Sequence, residues 1–90
     1  MTEESVLITS DTGVHARPAM MLVRAAMKYP CEVYYSKDEM KVNGKSIMGV
    51  LALAITKGSE LKIITDGDKE KEAVRELIHI IENDFKEGVV

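Results

Sequence analysis

An apolar stripe near the carboxyl end constrains this chain most. Between positions 69 and about 86, Ala73, Val74, Leu77, Ile78, Ile81 and Phe85 recur at spacings of three and four, with Glu and Lys in most of the gaps. That is the 3.6-residue period of an amphipathic helix with one face to bury. Such a helix draws its stability from packing, so the rest of the chain must supply a surface for it. Ninety residues are enough for one hydrophobic core and too few for two. The expectation is a single domain over residues 1–90.

The segments upstream are short. Val6, Leu7 and Ile8 read as a first strand, closed by the turn-forming run Ser10-Asp11-Thr12-Gly13. Ala19, Leu22, Val23 and Ala26 form the stripe of a first helix that Tyr29-Pro30 ends. Positions 32–35 and 40–43 read as two strands around the polar connection Ser36-Lys37-Asp38-Glu39. Positions 47–53 are almost continuously apolar and ambiguous by period, but Ser46 in front can cap a short helix. Lys57-Gly58 breaks the chain, Leu61 and Ile63 alternate with Lys62 in a fourth strand, and Thr65-Asp66-Gly67-Asp68 supplies a turn and the start of the last helix. Strand, helix, strand, strand, helix, strand, helix with short connections predicts an α+β fold: one antiparallel sheet with helices on one face and water on the other.

Composition removes several classes of function. With 46% hydrophobic and 30% charged residues the chain is ordinary for a folded soluble protein. Twelve basic against 15 acidic residues leave a net charge of -3, so no overall positive field favours direct nucleic-acid binding. No apolar stretch approaches the ~20 residues that span a bilayer, and no signal-peptide core follows Met1-Thr2-Glu3-Glu4. A cytoplasmic protein without membrane insertion is expected. The lone Cys31 excludes an internal disulfide and reads as a small buried side chain, and His79 reads as a surface residue of the last helix. No metal-ligand cluster, nucleotide-binding loop or catalytic triad is visible, and no metal or cofactor is expected.

The run Gly13-Val14-His15-Ala16-Arg17-Pro18-Ala19 is the candidate for chemistry because it puts a histidine at the entrance of the first helix. The first NH groups of a helix have no intrahelical partner and carry the positive end of its dipole, so a phosphate beside His15 would be stabilised there. The same field disfavours an imidazolium. A mostly neutral His15 near pH 7, with a lone pair for attack on phosphorus, is the expectation. Arg17 can turn a planar fork of donors onto phosphate oxygens and keeps its charge. Pro18 loses little by lacking an NH in the first turn and stiffens the site. The bland alternative is a polar helix entrance and a solvated arginine.

Residues 13–19 resemble the active-site signature of the HPr phosphocarrier family, Gly-(Leu/Ile/Val)-His-Ala-Arg-Pro-Ala. The block Lys45-Ser46-Ile47-Met48-Gly49-Val50 is similar to the regulatory serine segment of HPr proteins from low-GC Gram-positive bacteria. The resemblance extends over essentially the whole chain and implies an HPr-like open-faced β-sandwich with a four-stranded antiparallel sheet and three helices. It further implies that His15, through Nδ1, accepts a phosphoryl group from enzyme I of the sugar phosphotransferase system and passes it to IIA domains of sugar permeases. Met20-Met21 and Gly44 depart from the residues common in the family at these places.

Ser46 at a helix start could carry phosphate without unfolding, and added charge of about -1.5 to -2 there would repel an acidic partner. By resemblance, HPr kinase/phosphorylase modifies Ser46, and the phosphorylated form serves the catabolite control protein as corepressor. The alternative is a helix cap alone. Met20, Arg24, Lys45, Ile47, Met48 and Leu51 are expected at the partner-binding surface, with Met20 and Met48 outward and Ile47 and Leu51 shared with the core. Arg24, Lys28 and Lys45 are expected to border His15 with positive charge. A stoichiometric carrier, not an enzyme, is the leading function. A regulatory module acting through Ser46 and a small phosphate-ester enzyme are the alternatives; the last lacks a visible general base, and HPr-like regulators typically lack the histidine.

Overall fold

A computed structural model describes residues 1–11 and 13–86. The order is β1 (Thr2–Leu7), α1 (Ala16–Met27), β2 (Glu32–Lys37), β3 (Met40–Asn43), α2 (Ile47–Ala52), β4 (Glu60–Asp66) and α3 (Glu70–Glu82). The strands form one antiparallel sheet in the order β1-β4-β2-β3. The three helices cover one face of it, as the α+β expectation has it. Side chains alternate across a strand, so Val6, Leu61, Ile63, Val33 and Tyr35 point into the core, where they meet Leu22 and Ala26 of α1 and Ala73, Leu77 and Ile81 of α3. The opposite face carries Glu3, Ser5, Lys62, Tyr34 and Ser36, with Lys41 Nζ 4.4 Å from the centroid of the Tyr34 ring.

Boundaries moved where long-range pairing overrides local preference. β1 starts at Thr2, four residues before the apolar run, because Thr2 to Ser5 pair with positions 62–65 of β4. β2 extends through Lys37, and the expected four-residue connection is a two-residue turn in which Asp38 takes φ 51°. α3 ends at Glu82, short of the expected 86, yet Phe85 is still buried; it folds back in the left-handed region at φ 59° and donates its NH to Ile80 O at 3.0 Å. Gly44 answers to Tyr35. A Cβ on Gly44 would lie 2.6 Å from Val33 Cγ1 and 2.9 Å from the ring of the fully buried Tyr35, so the larger residue the family often has there would not fit beside this tyrosine.

Candidate phosphoryl site

Backbone contacts made well before α1 fix the direction in which the chain enters it. Gly13 adopts φ +67° and donates to Ser10 O at 3.1 Å, and Val14 donates to Ile55 O at 2.9 Å. Any Cβ on Gly13 would sit 2.7 Å from Ile55 O. Val14 is buried, so the chain is held against the segment after α2 and releases His15 at the surface.

His15 is the N-cap of α1, extended at φ -112° and ψ -161°, and its ring makes no capping hydrogen bond; only its carbonyl joins the helix, accepting from Ala19 N at 2.9 Å. The first turn contains no acidic residue, so nothing in it offsets the positive end of the helix dipole. Pro18, the third helical residue, has no NH to leave unsatisfied and is buried beside Ala19, whereas Ala16 and Arg17 are exposed with His15. Asp11, the acidic residue nearest in sequence, is paired with Lys57 Nζ at 2.6 Å, which holds its carboxyl below the usual range. The arrangement offers an exposed imidazole, a nearby guanidinium-bearing residue and an unneutralised helix start: the parts needed to receive an anion.

Ser46 lies at the other end of α1. Val14 joins Ile55 near the start of α1, and Lys45 Nζ donates to Tyr29 O at 2.7 Å just beyond its end. α2 therefore runs back along α1, and its capping residue is separated from His15 by most of a helix whose 12 residues span roughly 18 Å. The Ser46 hydroxyl accepts from Gly49 N at 3.1 Å, as expected of a cap. A phosphate on Ser46 is thus too distant for strong direct repulsion of one on His15, given a screening length of about 8 Å at physiological salt. Partners spanning both ends would meet it.

Between the two ends, Arg17, Met20, Arg24 and Met27 form the outer row of α1 at helical spacing, all exposed. On α2, Met48 is 75% exposed, Leu51 37% exposed, and Ile47 half-buried against the core. Met20 and Met48 thus face outward as expected. The positive border needs correction. Lys28 pairs with Glu76, which also accepts from Tyr29 OH at 2.6 Å, and the Lys45 ammonium is taken by the Tyr29 carbonyl. Of the three, Arg24 alone has a side chain that makes no ion pair or hydrogen bond with the described residues. The Gly13–Ile55 clamp and the Asp11–Lys57 pair were missed by sequence reasoning; each joins segments more than 40 residues apart, and no local signal marks them. Cys31 is 2% exposed, His79 is exposed, and among the described residues no group of three His, Cys, Asp or Glu could hold a metal ion. Among the same residues no helix is long and apolar enough to cross a membrane.

A family model described as the PTS HPr component phosphorylation site matches residues 2–83. The HPr-like protein Crh of Halalkalibacterium halodurans is 44% identical over 84 residues, covering 93% of this chain and 100% of the relative. Phosphocarrier protein HPr of Neisseria meningitidis is 40% identical over 88 residues, 98% of this chain and 99% of the relative. The crystal structure of HPr-C-His from Thermoanaerobacter tengcongensis superposes with a TM-score of 0.92 at 40% identity, covering 99% of this chain and 100% of that one.

Proposed function

Because the chain belongs to the HPr phosphocarrier family, we propose that it is a single-domain phosphocarrier of the sugar phosphotransferase system that holds its phosphoryl group on His15. The observation that carries this reading is the bare N-cap: an exposed imidazole, uncommitted to its own helix, at a helix start without an acidic residue. A lone pair of the imidazole, at Nδ1 by family resemblance, attacks the phosphorus of phospho-enzyme I. The N–P bond forms as the donor's bond to phosphorus breaks, and the donor group keeps that electron pair. Arg17 balances charge on the phosphoryl oxygens. The reverse displacement by a IIA domain empties the site, so the protein turns over only with partner proteins and acts as a carrier in the cytoplasm.

Incubation with phosphoenolpyruvate and enzyme I tests this. One acid-labile phosphate per chain, absent from His15→Ala, is the expected result. No labelling by an enzyme I that phosphorylates another HPr would overturn it.

A second, compatible role is favoured by the Ser46 cap geometry and by the similarity to Crh, one homologue of which is described as a catabolite repression protein. In it HPr kinase/phosphorylase phosphorylates Ser46, and the modified protein serves the catabolite control protein. The added charge also slows docking of enzyme I on the surface formed by Met20, Arg24, Ile47, Met48 and Leu51, with Lys45 at its edge. Kinase labelling that persists in Ser46→Ala would exclude this site.

A further inference from the structure

Methionine usually fills cores, yet five of the six methionines here are exposed: Met1, Met20, Met27, Met40 and Met48, with Met21 alone partly buried. Two of them, Met20 and Met48, stand on the surface assigned above to partner docking, at 45% and 75% exposure. We propose that Met20 and Met48 are oxidation sites through which a hydroperoxide reversibly slows phosphoryl transfer. This rests on the carrier reading.

In the step, a lone pair on the thioether sulfur attacks the terminal oxygen of the hydroperoxide. The S–O bond forms as the O–O bond breaks, sulfur gives up two electrons, and water leaves when the oxidant is hydrogen peroxide. The product is methionine sulfoxide, and a thiol-dependent reductase returns it to the thioether while its own thiols become a disulfide and the oxygen leaves as water. Reaction rate follows access, so Met48 is oxidised well before the half-buried Met21. Cys31 does not compete. It is 2% exposed, and burial pushes its thiol pKa up and away from the reactive thiolate.

The sulfoxide replaces an apolar, adaptable contact with a strong dipole that must be stripped of water on docking. Because neither side chain belongs to the buried core, the fold and the imidazole are left intact. The expected consequence is a loss of docking and not of the phosphorylatable site: the rate at low carrier concentration falls roughly tenfold, while saturating carrier still becomes fully labelled.

The test is treatment of the full chain with hydrogen peroxide, peptide mapping of added oxygen, and measurement of phosphoryl transfer from phospho-enzyme I before and after. The proposal expects oxygen on Met48 and Met20, a transfer efficiency down roughly tenfold, and recovery after a methionine sulfoxide reductase with a thiol reductant. In Met20→Leu/Met48→Leu, the ratio of oxidised to unoxidised efficiency stays near one whatever its starting value, although Met1, Met27 and Met40 still take oxygen. An unchanged efficiency after full oxidation of Met20 and Met48, or an equal loss in the double variant, overturns the proposal and leaves the carrier reading standing. Failure of the untreated protein to accept phosphate overturns both.

Discussion

At the start of α2 the Ser46 hydroxyl accepts from Gly49 N at 3.1 Å, whereas at the start of α1 the His15 ring accepts nothing from its own helix. Serine is among the best capping residues and histidine is not. One entrance is built to hold a helix, and the other leaves its side chain available. The two helix starts therefore differ in whether the side chain is committed to its own helix, and the following substitutions probe that difference.

The largest effect is expected at His15. His15→Ala should abolish acid-labile phosphorylation and change unfolding free energy by no more than about 0.5 kcal/mol, since the ring is exposed and caps nothing. Chemical denaturation beside the labelling assay reads both. A loss of 1 kcal/mol or more would mean that His15 is structural after all, and would break the contrast with Ser46.

Gly13 comes next because it aims His15. Gly13→Ala places a Cβ 2.7 Å from Ile55 O on a backbone at φ +67° and should cost ~2–3 kcal/mol and slow labelling. Gly58→Ala is the control. Gly58 is also in the left-handed region, φ +89°, but a Cβ there meets nothing within 4 Å, so only the backbone preference of about 1 kcal/mol is lost. Equal losses for the two variants would show that the contact with Ile55 does not fix the entrance of α1.

Ser46→Ala should cost about 1 kcal/mol while His15 still accepts phosphate. Ser46→Asp restores an oxygen acceptor for Gly49 N and should recover most of that stability while lowering transfer efficiency. Full recovery of stability with unchanged transfer would separate the cap from the proposed regulation.

The helical periods made α1 and α3 legible, and with them the position of His15 at a helix entrance, because amphipathic spacing and breakers are local properties. Ser46 was legible for the same reason: an oxygen-bearing residue ahead of an apolar run needs no knowledge of the rest of the chain. What the sequence did not disclose depends on contacts across the fold. Glu3 to Ser5 have little strand preference of their own, and β4 recruits them together with Thr2. Gly44 looks like a plain departure from the family until the Tyr35 ring is found in the space its side chain would take. Lys28 and Lys45 read as positive charge bordering the site, but Glu76 and the Tyr29 carbonyl, brought near by α3 and by the end of α1, engage them. The Asp11–Lys57 pair escaped notice for the same reason.

The third helix entrance sharpens the contrast by a different chemistry. Lys69 precedes α3 in the left-handed region at φ 64° with no side-chain cap, and the Glu70 carboxylate instead fastens the turn ahead of the helix, accepting from Gly67 N at 3.1 Å. The same carboxylate accepts from the Thr2 hydroxyl and pairs with the Met1 amine at 3.0 Å, tying β1 to α3. These donors, Thr2 first, hold Glu70 down at about 2 from its usual 4.5. A carboxyl whose pKa is depressed on folding stabilises the folded state fully above its unfolded value and loses that contribution as pH falls toward its folded value. Unfolding free energy should therefore decline between about pH 4.5 and pH 2, and Glu70→Gln should flatten part of that decline. It should not remove all of it, because Lys57 depresses Asp11 and Lys28 with Tyr29 depresses Glu76 despite its burial. The effect is the smallest of the series, since the group is close to solvent and the pairing is screened. An unchanged slope in Glu70→Gln would mean that the charge of Glu70 contributes nothing to holding β1 on α3.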